Sequence, residues 1–207
     1  MTKQDKLVTK NYYDINAGYW AANRSHFDAS RQRFDKFQEL LPSGKILDLG
    51  CGTGRDAQLF IPAGYDYIGI DLSDGMIAQA KKLFPDAKFE VMDMTNLAFE
   101  NEVFDGLWAF TSYLHIPKTE IAKAVAESNR VLKMGGIGYV TIKKGSGEKY
   151  IGEADSKRYW SFYGKNQFAK VLRDGGFEII ESWEDKRIYN PPKDVSVFIC
   201  YIVRKIK

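Results

Sequence analysis

Hydrophobic and polar residues alternate along this chain in two rhythms. Continuous apolar runs recur at Lys45–Leu49, Tyr65–Ile70, Ala87–Met92, Phe104–Phe110 and Ile137–Lys143. Between them, at Asp56–Ile61, Asp74–Leu83 and Glu120–Leu132, apolar residues return every three or four positions. The runs read as strands buried on both faces and the stretches between as helices. Their alternation predicts a largely parallel sheet with helices on both sides. Ser73 or Asp74 offers an N-cap to the second helix, and Lys133-Met134-Gly135-Gly136 ends the third. The tail adds a helix at Lys165–Asp174, stopped by Gly175-Gly176, then strands at Phe177–Trp183 and Val195–Val203. Their connection, which contains Asn190-Pro191-Pro192, is too short for a crossover helix, so the two strands are expected to be antiparallel neighbours. Ahead of the first strand, Leu7–Ala17 and Ser30–Leu41 are helical and rich in Tyr and Phe. They predict a helical cap, residues 1–41, in one unit with the domain at residues 42–207.

Composition narrows the class. A chain of 207 residues fits one α/β domain, and 44% hydrophobic with 28% charged residues excludes extensive disorder. The net charge of +3 is too mild and too evenly spread to argue for nucleic acid. Two cysteines, one in a glycine turn and one in a late strand, do not make a disulfide framework and suit a reducing compartment. Met1–Lys10 is polar with no apolar run behind it, so no signal peptide or membrane partner is expected and the cytoplasm is the expected location.

The candidate chemistry begins at Asp48-Leu49-Gly50-Cys51-Gly52-Thr53-Gly54, where the first strand runs into a turn with glycine at alternate positions. Glycine serves where backbone must bend sharply or lie against a ligand. The next strand ends in Asp71, and a carboxylate there suits both hydroxyls of a ribose. The dinucleotide fingerprint would place its third glycine one position later, where Arg55 stands. Asp48 is a poor companion for phosphates but suits a positively charged amino acid moiety. Both departures favour a ligand with an ammonium, a sulfonium and no phosphate: S-adenosylmethionine.

At these residues the chain resembles the Rossmann-like (class I) S-adenosylmethionine-dependent methyltransferases, from about Tyr12 to Val203. The resemblance implies a single doubly wound α/β sheet of seven mostly parallel strands in the order 3-2-1-4-5-7-6, with strand 7 antiparallel. It implies that Asp48, Gly50, Cys51, Gly52, Thr53 and Gly54 lie under the methionine part of the cofactor. Asp71 would hold the ribose, Leu72 and Met94 would flank adenine, and Asp93 would hold the adenine amino group. Met76 joins this set, and Ala109 and Phe110 would lie near the sulfonium. Tyr12, Tyr19 and Arg24 resemble cofactor-covering positions, with Arg24 meeting the cofactor carboxylate. Met134 stands where the family has proline.

His115, just beyond the fourth strand, would line the ligand crevice. It could take a proton from an acceptor hydroxyl, amine or thiol, or only pack beside the cofactor. His26, in the cap, suits a surface role, and Asp105 suits orienting the fourth strand. Tyr12, Tyr13, Tyr19 and Trp20, with Tyr159, Trp160, Phe162 and Tyr163, would form an aromatic lid or simply pack the cap on the core. Tyr139 and Lys143 have the spacing of a dehydrogenase pair, but on a strand they stand about 13 Å apart. Asn190-Pro191-Pro192-Lys193 lacks the aromatic residue of an amine-methylating loop and follows the wrong strand. No metal set is expected, since Ser112 and Lys144 stand near the places where acids would be needed. The reading is direct methyl transfer to a small molecule, with S-adenosylhomocysteine as product. The alternatives are a nicotinamide-dependent oxidoreductase and a non-catalytic cofactor-binding module. Acceptor selectivity is assigned to the cap, the His115 loop and the Lys143–Phe162 insertion, whose Lys143–Lys149 part is expected to be a mobile, solvated loop.

Overall fold

A computed structural model describes residues 3–23, 27–153, 157–186 and 196–207. Helices α1 (Lys3–Ala22) and α2 (Phe27–Leu40) precede β1 (Lys45–Leu49). Then follow α3 (Ala57–Phe60), β2 (Asp66–Asp71), α4 (Asp74–Leu83), β3 (Lys88–Val91) and β4 (Phe104–Ala109). A 3-10 turn (Tyr113–His115) leads to α5 (Ile121–Val131) and β5 (Leu132–Lys144). The remainder is β6 (Glu148–Ile151), β7 (Arg158–Tyr163), α6 (Lys165–Asp174), β8 (Phe177–Asp185) and β9 (Phe198–Lys205). Arg24, His26 and Asn190-Pro191-Pro192-Lys193 lie outside the described residues.

Strands run β3-β2-β1-β4-β5 in parallel, and β9 then pairs antiparallel with both β5 and β8. This is the seven-stranded order expected, with β9 as the inserted antiparallel strand. The alternation of side chains explains the two covered faces. Leu47, Leu49, Leu107 and Ala109 join a core with Ile121, Val125 and Leu172 of α5 and α6. Ile46 and Trp108, one residue out of phase, join Phe37, Phe60 and Ile77 of α2, α3 and α4 on the other face. Trp108 is fully buried, stacked 4.4 Å from Tyr139, and its indole N–H donates to Asp56 at 2.8 Å. Burial works to raise the Asp56 carboxyl, but the Arg55 guanidinium beside it holds it below the usual range.

Three expectations need correction. β5 starts at Leu132 rather than Ile137, because Leu132 pairs with Phe104 and a register shift before Gly106 absorbs the extra length. α1 extends from Lys3 to Ala22, well beyond Leu7–Ala17. The expected loop at Lys143–Lys149 shrinks to a turn at 145–147, since β6 and β7 pair antiparallel and β7 adds to the end of β5 through Lys143–Phe162 and Lys144–Tyr163. Tyr159, Trp160, Phe162 and Tyr163 are buried, and that apolar area favours the hairpin over a solvated loop. Asp105 accepts from the Lys45 backbone N–H at 2.8 Å and from Lys133 Nζ at 2.7 Å, fixing the entry to β4 away from the site. No helix among the described residues is long and apolar enough to cross a membrane.

Candidate functional site

The carboxyl ends of β1 to β4 open onto one cavity, floored by the glycine turn and roofed by α1. Gly50 and Cys51 N–H groups both donate to the Ile70 carbonyl, at 2.8 and 2.9 Å, folding the turn over the end of β2. Gly50 (φ +75°) and Gly52 (φ +57°) occupy the left-handed region, and a Cβ at Gly50 would lie 2.5 Å from the Ser112 Cβ. Only glycine makes this bend and leaves the floor bare. Asp71 stands opposite. Its Oδ2 accepts from the Gly52 N–H at 3.0 Å and its Oδ1 from the Ser73 N–H at 2.9 Å, so the carboxylate is fixed while lone pairs remain. Burial pushes the Asp71 carboxyl up, and these two backbone bonds oppose that.

At the end of β3, Asp93 accepts from the Thr95 N–H and hydroxyl, each at 2.8 Å, and from Lys6 Nζ at 2.6 Å. Lys6 also bridges to Glu120 at 2.6 Å. Burial disfavours the Lys6 charge, yet its bonds to Asp93 and Glu120 win and raise its pKa. Further along α1, Asp14 accepts from the Ser73 hydroxyl (2.6 Å) and the Gly75 N–H (3.0 Å), and Lys10 bridges Asp14 and Asp74 at 2.6 Å. α1 is therefore clasped across the strand ends by three sets of polar contacts.

His115 lies on the wall after β4. Its Nδ1 is 2.7 Å from the Tyr159 carbonyl and must donate there, which leaves Nε2 to accept from the Tyr13 hydroxyl at 3.0 Å. Burial, with Arg158 and Lys143 nearby, lowers its pKa to about 3. The ring is neutral and its basic nitrogen is engaged, so the general-base assignment finds no free nitrogen here. The Trp160 ring is 4.8 Å from the His115 ring, and the Arg158 guanidinium lies 4.7 to 6.0 Å from the rings of Tyr12, Tyr13, Trp20 and Trp160.

Of the residues singled out from sequence, Gly50, Cys51, Gly52, Thr53, Asp71, Leu72, Met76, Asp93, Met94, Phe110 and His115 line the cavity. Others do not. Asp48 is only 2% exposed and turns, like Ile46 two residues earlier, to the sheet face of Tyr67, whose hydroxyl donates to it at 2.6 Å. Burial, with Asp56 nearby, pushes its carboxyl well up, which makes it a poor partner for an ammonium. Gly54 packs beneath Phe89 and Phe84, and Ala109 is buried in the core. Tyr12 packs on Arg158 outside the cavity wall, and Tyr19 is 61% exposed. The residues of α1 that do line the cavity are Lys6, Thr9, Lys10, Tyr13 and Trp20, spaced as one helical face, with Asn23 just beyond its end. Tyr12 and Tyr19 miss it by a single position, about 100° of rotation. Tyr13 and Trp20, expected from sequence as rings of the aromatic lid, are the members of each pair that reach the cavity.

Comparison with known proteins agrees with this geometry. A family model described as a methyltransferase domain matches residues 46–136. The demethylmenaquinone methyltransferase of Renibacterium salmoninarum is 34% identical over 96 residues, 46% of this chain and 40% of that one. The chain thus spans less than half the length of this relative. A methyltransferase structure from Methanosarcina mazei superposes with TM-score 0.69 at 20% identity, covering 79% of this chain and 93% of that one. The 1,6-didemethyltoxoflavin-N1-methyltransferase of Burkholderia thailandensis, solved with its substrate and S-adenosylhomocysteine, gives TM-score 0.65 at 19% identity, with 92% and 90% covered. Fold, glycine turn and strand-end acids coincide with the matched region, so residues 46–136 carry a methyltransferase domain and the likenesses together support the Rossmann-like, class I S-adenosylmethionine-dependent methyltransferase family.

Proposed function

We propose that the chain transfers a methyl group from S-adenosylmethionine directly to a small-molecule acceptor. The observation that carries this reading is the bare floor of Gly50 and Gly52 opposite a fixed, ligand-facing Asp71 carboxylate in one cavity. That set fits a ribose lying over backbone, because a side chain at Gly50 would fill the space and collide with Ser112. When bound, S-adenosylmethionine supplies a methyl carbon activated by its sulfonium leaving group. The protein's part is then to hold, align and keep water away.

In this reading Asp71 accepts the ribose hydroxyls, Leu72 and Met94 flank adenine, and Asp93 shares its carboxylate between Lys6 and the adenine amino group. Tyr13 and Trp20 close the roof as rings rather than charges. His115, held neutral, fixes the Tyr13 hydroxyl and removes no proton itself. The roof of α1 supports a small acceptor over a polymer. Both cysteines are free and buried, in keeping with the proposed cytoplasmic location.

Calorimetric titration with S-adenosylhomocysteine, and separately with NAD, tests the reading. Saturable heat with the first and none with the second is expected. The reverse pattern would replace a methyltransferase by an oxidoreductase. Binding without transfer of a labelled methyl group to any member of a broad acceptor panel would leave only a binding module.

A further inference from the structure

Lys6 reaches the β3 end of the cavity from the first turn of α1, and its ammonium has three hydrogens to give. All three are taken: by Asp93 Oδ2 at 2.6 Å, Thr95 Oγ1 at 3.0 Å and Glu120 Oε2 at 2.6 Å. The Lys6 side chain is 9% exposed, and its hydrogens are spent on the protein rather than on a ligand. Asp93 is the opposite case. A carboxylate offers about four acceptor positions. Among the described residues, the Thr95 N–H and hydroxyl fill two on Oδ1, and Lys6 fills one on Oδ2. The Asp93 side chain is still 30% exposed and lines the cavity. Around Asp93 the hydrogen bonds thus leave one acceptor position open, on Oδ2.

An ionised carboxylate only accepts, so its open position rewards a ligand N–H and gives nothing to a ligand without one. That reward needs a charged group whose oxygen holds its direction. Thr95 fixes Oδ1 from within the turn that follows β3. Oδ2 is fixed from a different element, by Lys6 of α1. Burial works to raise the Asp93 carboxyl, but the bonds from Lys6 and Thr95 hold it below the usual range. A neutral side chain at position 6 would leave Oδ2 unheld and Glu120 without its cation.

Building on the methyltransferase reading, we propose that Lys6 is a positioning residue for adenine: from α1 it fixes the Asp93 carboxylate and so sets the preference for a purine with a 6-amino group. Lys6 itself makes no contact with the cofactor and acts through Asp93, which ties the roof of the cavity to the reading of the base. Calorimetry compares S-adenosylhomocysteine with its 6-hydrogen purine analogue, which lacks only the amino group. Wild type is expected to bind the first at least about tenfold more tightly, as a hydrogen bond to a charged group requires. Lys6→Met is expected to weaken S-adenosylhomocysteine about tenfold and the analogue less than about twofold, so that the ratio collapses. Lys6→Gln, which donates without charge, should follow Lys6→Met, and Lys6→Arg, which keeps the cation, should restore most of the ratio. A ratio that stays at its wild-type value in Lys6→Met and Lys6→Gln, even if both affinities fall together, would overturn the proposal. So would a ratio lost as fully in Lys6→Arg as in Lys6→Met. Equal affinities of wild type for the two ligands would take Asp93 away from the amino group and the proposal with it. Wild-type protein that gives no heat with either ligand would instead remove the reading on which the proposal stands.

Discussion

The two ends of the cavity are made of different material. Around Asp71 the wall is largely backbone: the Gly50, Cys51, Gly52 and Ser73 N–H groups all find acceptors on β2 or at its end. Around His115 it is side chain, assembled from α1, the turn after β4 and β7, segments remote in sequence. A backbone wall changes only if the turn itself changes. A side-chain wall can be rebuilt residue by residue, so constancy belongs at the first end and selectivity at the second.

Acidification should break the comparison most visibly. His115 has its pKa lowered from 6.5 to about 3, so the unfolded chain takes up a proton that the folded chain refuses. The stability this group contributes is complete above about pH 6.5 and is lost as pH falls toward about 3. Thermal unfolding of wild type should therefore lose more between about pH 7 and 5 than that of His115→Asn. Parallel curves would mean the ring is solvated. Next in size, Asp71→Ala should weaken S-adenosylhomocysteine binding by roughly 1–3 kcal/mol in calorimetry. Unchanged affinity would remove Asp71 from the ribose. Lys6→Met leaves Asp93 and Glu120 facing each other without their shared cation. Both acids are partly exposed, which tempers the loss to about 1–2 kcal/mol of folding stability by denaturant titration. Smallest is Tyr13→Phe, which deletes one hydrogen bond for about 0.5–1.5 kcal/mol. Its mark should be on turnover or acceptor binding, with S-adenosylhomocysteine affinity kept. An equal loss at both would erase the distinction between the two ends.

The same contrast explains what could be read from sequence. The glycine turn and Asp71 follow from contiguous residues whose spacing carries the geometry, and the strand order from the family resemblance that those residues carry. Asp48 misled because the run Ile46–Leu49 is apolar on both sides, and nothing local says which face an acid in it will take. The α1 face misled by one residue, since Tyr12-Tyr13 and Tyr19-Trp20 are adjacent ring pairs and the helix phase decides which member turns inward. Lys6 was invisible because its partners, Asp93 and Glu120, are far along the chain. The β6–β7 hairpin was hidden by the polar, glycine-containing stretch Lys144-Gly145-Ser146-Gly147 at its start.

The place of β9 has a bearing on how the molecule is born. It is made after every other strand of the sheet, yet it sits between β5 and β8. Until the ribosome has released it, β5 keeps an open flank and β8 has no neighbour to join. A nascent chain at that stage offers a template to its siblings, and the synthesis of β9 is what closes the exposed flank.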